Sequence, residues 1–160
     1  VDGEVVHLLG KSLKLTVEPG LFDSVLTTEK ALVVTSRLTD PHQIKAMLTP
    51  WFTQQARQVF VEVLADFAHL PWLQEGLPPW KQRYMRSQWG SCSAQGRLSL
   101  NTHLVKTPRR LIEYVVLHEL CHLKHHNHGR RFHSLVSTHM PDWQARSNEL
   151  NKYLPILMQD

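Results

Sequence analysis

The stretch that decides the fold is Val115-Val116-Leu117-His118-Glu119-Leu120-Cys121-His122-Leu123-Lys124-His125-His126-Asn127-His128. It contains a His-Glu-x-x-His motif at His118, Glu119 and His122. On a helix, residues four apart lie on one face, one turn apart, so the His118 and His122 rings can share one divalent metal. Glu119 is rotated by roughly 100° from the first of these. From there a carboxylate can act on a water held at the metal rather than on the metal itself. The surrounding Tyr114, Val115, Leu117, Leu120 and Cys121 make the helix apolar. Two His and one Glu are costly to bury in such a frame without partners, and a metal supplies them.

The third ligand has several candidates: His125, His126, His128, His133 and His139. His126 continues the row of His118 and His122. On a straight helix, however, His118 and His126 stand about 12 Å apart at 1.5 Å per residue. Rings so spaced cannot converge on one tetrahedral ion with bonds near 2.1 Å. The chain has to turn first. Asn127-His128-Gly129 can turn it, because Asn and Gly tolerate the left-handed backbone that ends helices. The spacing therefore predicts His128 as the third ligand, with His133 and His139 packed within later helices or facing solvent. Lys124-His125-His126 adds further imidazoles beside the site.

Several segments together resemble the YgjP-like family. They are Gln88-Trp89-Gly90-Ser91-Cys92-Ser93, Gly96, Leu98-Ser99-Leu100-Asn101, Tyr114 to His122, and Asn127-His128 with Phe132. The family is a bacterial group of zinc metallopeptidases related to the WLM and SprT-like proteases. The resemblance covers nearly the whole chain and is strongest from Arg86 to Pro141. It implies a zincin-like fold, one zinc (or another divalent metal) per chain, His118, His122 and His128 as ligands, and Glu119 as the catalytic residue. It also implies a peptide or protein substrate.

Outward from this stretch, Thr107 is expected to cap the metal helix with Pro108 at its first position. Leu111, Ile112, Val115, Val116 and Leu120 mark its apolar side. Arg83 to Arg86 and Arg97 to Asn101 read as two strands joined around Gly90 and Gly96. Between them, Trp89-Gly90-Ser91-Cys92-Ser93 is read two ways. One is a tight hairpin anchored by Trp89. The other is a sheet edge beside the metal cleft that pairs with an extended substrate backbone. Trp89, Gly90, Ser91, Asn101 and Arg130 are the candidate substrate-binding residues. Tyr153, Asn101, His125 and Arg130 suit a further donor to an oxyanion.

Towards the N-terminus, Asp40-Pro41-His42-Gln43 carries a helix start: a cap, Pro at the first position and a capping-box Gln. Ile44, Met47, Leu48, Trp51, Phe52, Val59, Phe60, Val63, Leu64 and Phe67 continue it at helical spacing. This predicts a long packing helix over residues 41–70, closed by Pro71 and then Gly76-Leu77-Pro78-Pro79. Residues 4–36 read as strands. Glu4 to Leu9 and Ser12 to Val17 flank a Gly10-Lys11 break, and Ala31 to Thr35 follows. After Gly129, Phe132, Leu135 and Val136 mark a short helix that ends before Pro141. A last helix starts near Asp142. The expected fold is α+β: a small, mostly antiparallel sheet packed on the long helix and the metal helix, with C-terminal helices. One domain spans 1–160, with N-terminal strands over 1–40 and the metal-site half over 83–160.

Composition narrows the function. Apolar residues at 42% and charged residues at 20% are ordinary for a globular chain. No apolar run approaches the ~20 residues that cross a bilayer, and residues 1–20 lack a basic-then-apolar export pattern. Two Cys, Cys92 and Cys121, do not make a disulfide scaffold, which points to the cytoplasm. Cys121 reads as a small buried hydrophobe and Cys92 as a remote candidate for a thiolate ligand. A net charge of +4 is spread over the chain, with short clusters at Arg109-Arg110 and Arg130-Arg131. A solvated basic surface is the simpler reading, and a nucleic-acid face is possible but not indicated. Two other function classes stay open. Metal-activated water beside Arg130 and Arg131 could attack a nucleotide phosphoanhydride. A non-catalytic binding module would keep the metal but have no use for Glu119.

Overall fold

A computed structural model describes residues 2–158. The N-terminal hairpin pairs β1 (Val5–Leu8) with β2 (Lys11–Pro19), Leu8 opposite Lys11. Its turn is Leu9-Gly10, one residue earlier than the expected Gly10-Lys11. Both residues have positive φ, 50° and 82°, as a two-residue hairpin turn requires. A Cβ on Gly10 would stand 2.7 Å from Pro108 Cγ. The tip is also tied by Leu9 N–H to Val105 O (2.7 Å) and Gly10 N–H to Lys106 O (3.1 Å). The hairpin thus fixes the segment that leads into the metal helix.

The fold is α+β, and its strands divide between two small sheets. The first has the order β1-β2-β4-β3, where β3 is Ser24–Thr27 and β4 is Ala31–Ser36. The second has the order β5-β7-β6, from β5 (Trp80–Arg83), β6 (Gly90–Cys92) and β7 (Leu98–Asn101). Three of the five pairings are antiparallel; β2 with β4 and β5 with β7 are parallel. One strand expectation needs correction: residues 84–86 lie outside β5, which runs earlier. Gly90-Ser91-Cys92 forms an edge strand, in line with one of the two readings of this segment. Ser93 and Gly96 close the β6–β7 turn, with Gly96 N–H donating to Ser93 O at 2.9 Å.

The long helix α1 runs Pro41–Asp66 and stops short of residue 70. Asp40 caps it, accepting from Gln43 N–H at 3.1 Å. The reciprocal capping-box bond does not form: the Gln43 amide reaches Asp23 and Ser36 instead. A 3-10 turn at Pro71–Leu73 follows. The metal helix α2 is Arg109–His122, with Pro108 in the cap position. Thr107 does not cap it, because its hydroxyl donates back to Leu104 O at 2.8 Å. Then come α3 (Arg130–His139) and α4 (Trp143–Asn151). The core joins Leu15, Leu32 and Val34 of the first sheet to Phe60 and Val63 of α1 and to Ile112, Val116 and Leu117 of α2. Burial of this apolar surface holds the metal helix in place.

Candidate metal centre

Nine residues of α2 are buried, so the helix is anchored nearly all round and its ends cannot drift. At its C-terminal end the Trp72 indole N–H donates to Leu120 O at 2.9 Å, clamping the turn that carries His122. The chain then reverses through residues 123–129, and His128 swings back over the helix. His128 Nε2 lies 3.2 Å from His118 Nε2 and 2.9 Å from His122 Nε2. These are the three His that the turn argument selects, and their ligand atoms all lie within 4.8 Å of one another. His126 is exposed and takes no part in this group.

The donor set fits a metal ion. A tetrahedral centre with bonds near 2.1 Å spaces its nitrogens about 3.4 Å apart, so little opening is needed. Burial pushes the His118 ring down to about 3, helped by the neighbouring His122, His128 and His133. Burial lowers His122 as well. Neutral imidazoles with inward lone pairs are the ligand form. Their outer nitrogens are also held. His122 Nδ1 faces His125 O at 3.2 Å, and His118 Nδ1 faces the Tyr114 hydroxyl at 3.3 Å. Partners of this kind fix the tautomer and aim of a ligating ring.

Two supporting residues were not found from the sequence. Tyr114 sits one turn before His118, where the sequence pattern shows only an apolar flank. Its hydroxyl links His118 to Ser147 of α4. Phe132 of α3 is fully buried beneath all three rings. Its centroid is 4.4 Å from His122, stacked at 24°, and 4.9 and 5.0 Å from His118 and His128. The i, i+4 relation of Tyr114 to His118 was a usable signal; the contact from Phe132 needs the tertiary fold.

Glu119 is buried, 6% exposed, and burial pushes its carboxyl up to about 8. Gly90 of β6 lies directly against it. A Cβ at Gly90 would be 3.1 Å from Glu119 Cγ and 3.2 Å from Oε2. The edge strand therefore runs beside the carboxylate. Ser91 and Cys92 follow on the same half-buried strand. Cys92 is close enough for the Glu119 charge to add to the burial that raises its thiol, and it lies outside the three-His group. Trp89 packs against the core, and its indole N–H is buried without a partner.

Asn101, expected at the substrate, is instead wholly buried. Its amide donates to Met85 O (2.9 Å) and Gln88 O (2.7 Å), and its oxygen accepts from Met85 and His103 N–H. With these bonds it clamps the loop that leads into β6. Arg130 is exposed at the start of α3. Tyr153 packs half-buried after α4. His133 stacks on Trp143 at 5.2 Å and His139 meets Trp72 edge-on at 5.5 Å, so both are packing residues.

A three-histidine pocket with a buried glutamate at its side, set on an α+β frame, defines a metal-dependent hydrolase. Comparison with known families places it further: the chain belongs to the YgjP-like, metallopeptidase domain family, matched over residues 1–153. It is therefore a metal-dependent peptidase. Among solved structures it is similar to the metallopeptidase zymogen jannalysin of Methanocaldococcus jannaschii. Identity is 21%, the TM-score is 0.48, and the match covers 62% of this chain and 96% of that one. The search of curated proteins gives no match.

Proposed function

We propose that this peptidase is zinc-dependent, with His118, His122 and His128 holding one zinc and Glu119 acting as general base. The observation that carries this reading is the convergence of the three Nε2 atoms at the helix that also carries the buried Glu119, which lies against the edge strand at Gly90. When bound, the metal supplies an electrophile that lowers the pKa of a water toward neutrality. Glu119 would accept a proton from the water that attacks the scissile carbonyl carbon. It then passes the proton to the departing amine, so a single carboxylate serves as base and acid. Its burial favours this work, since a desolvated carboxylate is a stronger base than an exposed one.

The substrate we infer is an extended peptide laid along β6. As the outer strand of β5-β7-β6, it has one edge unpaired within its sheet, and backbone hydrogen bonds there would recognise a peptide of any sequence. Gly90 and Ser91 would contribute those backbone groups, with exposed Arg130 at the rim. Two free thiols, Cys92 and Cys121, support a reducing compartment, the cytoplasm.

The test is a panel of unstructured peptides and nucleoside triphosphates offered side by side to zinc-loaded wild type and Glu119→Gln. Peptide cleavage should fall by about 10²–10⁴ in the variant, the usual contribution of a positioned general base, with metal content unchanged. Near-normal turnover in Glu119→Gln, or hydrolysis of the triphosphates alone, would overturn the reading.

A further inference from the structure

Away from the metal centre, a cleft of about 520 Å³ opens between the first sheet, α1 and the segment before α2. Its volume falls within the usual range for small-molecule sites, roughly 300–1,000 Å³. Part of its lining is apolar: Val6, Leu15, Ile44, Leu48, Phe52 and Leu157. The lining also carries Tyr84, His103, Lys106 and Arg86, with Lys45 and Glu4. None of the residues assigned to the metal centre lines this space.

Lys106 sets the character of the cleft. Its ammonium donates to His103 Nδ1 at 3.0 Å and lies 5.1 Å from the centre of the Phe52 ring. Both partners are uncharged, since burial and the Lys106 charge push His103 down to about 4. The Tyr84 ring packs on the other side of His103, 4.8 Å away. Among the described residues no carboxylate pairs with Lys106. Glu4, the acidic group on the lining, and Arg86 each have an interaction of their own. Burial alone lowers the Lys106 amine, to about 8. A partly desolvated cation without a counter-charge is costly. Such groups in clefts mark functional sites. An anion brought into the cleft would meet a lining that carries Lys45, Arg86 and Lys106 against the single acidic residue Glu4.

We propose that this cleft is a second binding site, which takes a small carboxylate on an apolar body, the carboxylate meeting Lys106 and the body lying along Ile44, Leu48 and Phe52. Each half of the ligand answers one part of the lining: the apolar side chains would not hold a bare anion, and the ammonium would not favour a neutral chain. A free apolar acid and the C-terminus of an apolar peptide both present this chemistry.

The experiment titrates the full-length, metal-loaded chain, isotopically labelled, with octanoate, octanol, acetate, acetyl-leucyl-leucine and the amide of that dipeptide. Backbone amide shifts of Tyr84, Met85 and His103 report on the cleft. Octanoate, the dipeptide acid or both should move these signals and saturate, and whichever does so names the source. Octanol, acetate and the dipeptide amide should bind at least tenfold more weakly. Lys106→Met, which keeps most of the unbranched side chain and removes the ammonium, should weaken the acids at least tenfold. Leu48→Trp, which fills the cleft and leaves the charge, should do the same, and so keeps the test decisive if Lys106→Met does not fold. The proposal fails if neither acid moves these signals, if octanol binds as tightly as octanoate, or if the substitutions leave acid binding unchanged. Peptide hydrolysis is not read, so this result is independent of the zinc mechanism.

Discussion

Gly90 and Glu119 are in direct contact: the edge strand meets the buried carboxylate where any side chain at residue 90 would be 3.1 Å from Glu119 Cγ and from Val115 Cγ1. Such a distance leaves no room for a methyl group unless the carboxylate moves. Gly90→Ala should therefore displace Glu119 by a few tenths of an ångström. Overpacking of this kind costs about 1–3 kcal/mol of stability, and small misplacements of a reacting group lower rate steeply. The expected outcome is a fall in peptidase kcat of about tenfold or more, with metal content retained. An unchanged kcat in Gly90→Ala, measured with a folded and metal-replete variant, would show that Glu119 has freedom which this contact denies.

The choice of His128 over His126 is tested by composition rather than activity. Purified wild type should carry about one zinc per chain. His128→Ala should lose most of it after dialysis, because two ligands remain. His126→Ala should keep it, since the exposed ring lies outside the group. Metal removal should also lower thermal stability. An ion present at 100 times its Kd contributes about 2.7 kcal/mol to folding. Chelator should lower the Tm of wild type and His126→Ala and leave that of His128→Ala nearly unchanged.

Tyr114 and His118 give a subtler test. The tyrosine hydroxyl, 3.3 Å from Nδ1, holds the outer nitrogen of a ring that presents Nε2 to the metal. Tyr114→Phe keeps the buried ring and removes only the hydroxyl. Loss of such outer partners costs about 10–100-fold in metal affinity or activity. Competition with a chromogenic chelator should show weaker zinc binding in Tyr114→Phe. Wild-type affinity would mean that packing against Phe132 alone aims the ring.

Much of this was legible in the sequence because it depends on local geometry. The His-Glu-x-x-His spacing fixes two rings on one face, the impossible span to His126 forces the next ligand past a turn, and Asn127 to Gly129 provides that turn. Asp40-Pro41 set the start of α1 for the same reason. What the sequence did not show depends on contacts distant along the chain. β3 is a four-residue strand with weak alternation, and it exists because β4 offers it an edge. β6 contains Gly and Ser, residues of low strand preference, and is held by Leu98, Ser99 and Leu100 of β7. Asn101 looked like an available donor, yet the carbonyls of Met85 and Gln88 consume its amide. The Gln43 side chain found Asp23 and Ser36, twenty and seven residues away, more favourable than its own helix end.

The last prediction concerns pH and the pair His103 and Lys106, which face Phe52, Tyr84 and each other. Both have folded pKa values below their unfolded ones: His103 about 4 against 6.5, and Lys106 about 8 against 10.5. In each window the unfolded chain binds more protons than the folded one, so stability rises with pH. The stability that neutral His103 confers is complete above pH 6.5 and is lost as pH falls through 4. Lys106, charged within the fold, weakens it below pH 8, and that penalty is relieved as pH rises toward 10.5. Urea unfolding of wild type against His103→Gln and Lys106→Met separates these from the other titrating groups. Relative to His103→Gln, wild type should lose stability between pH 6.5 and 4. Relative to Lys106→Met, it should gain stability between pH 8 and 10.5. A difference with the opposite slope in either window would mean that the group is stabilised, not strained, by its charge in the fold.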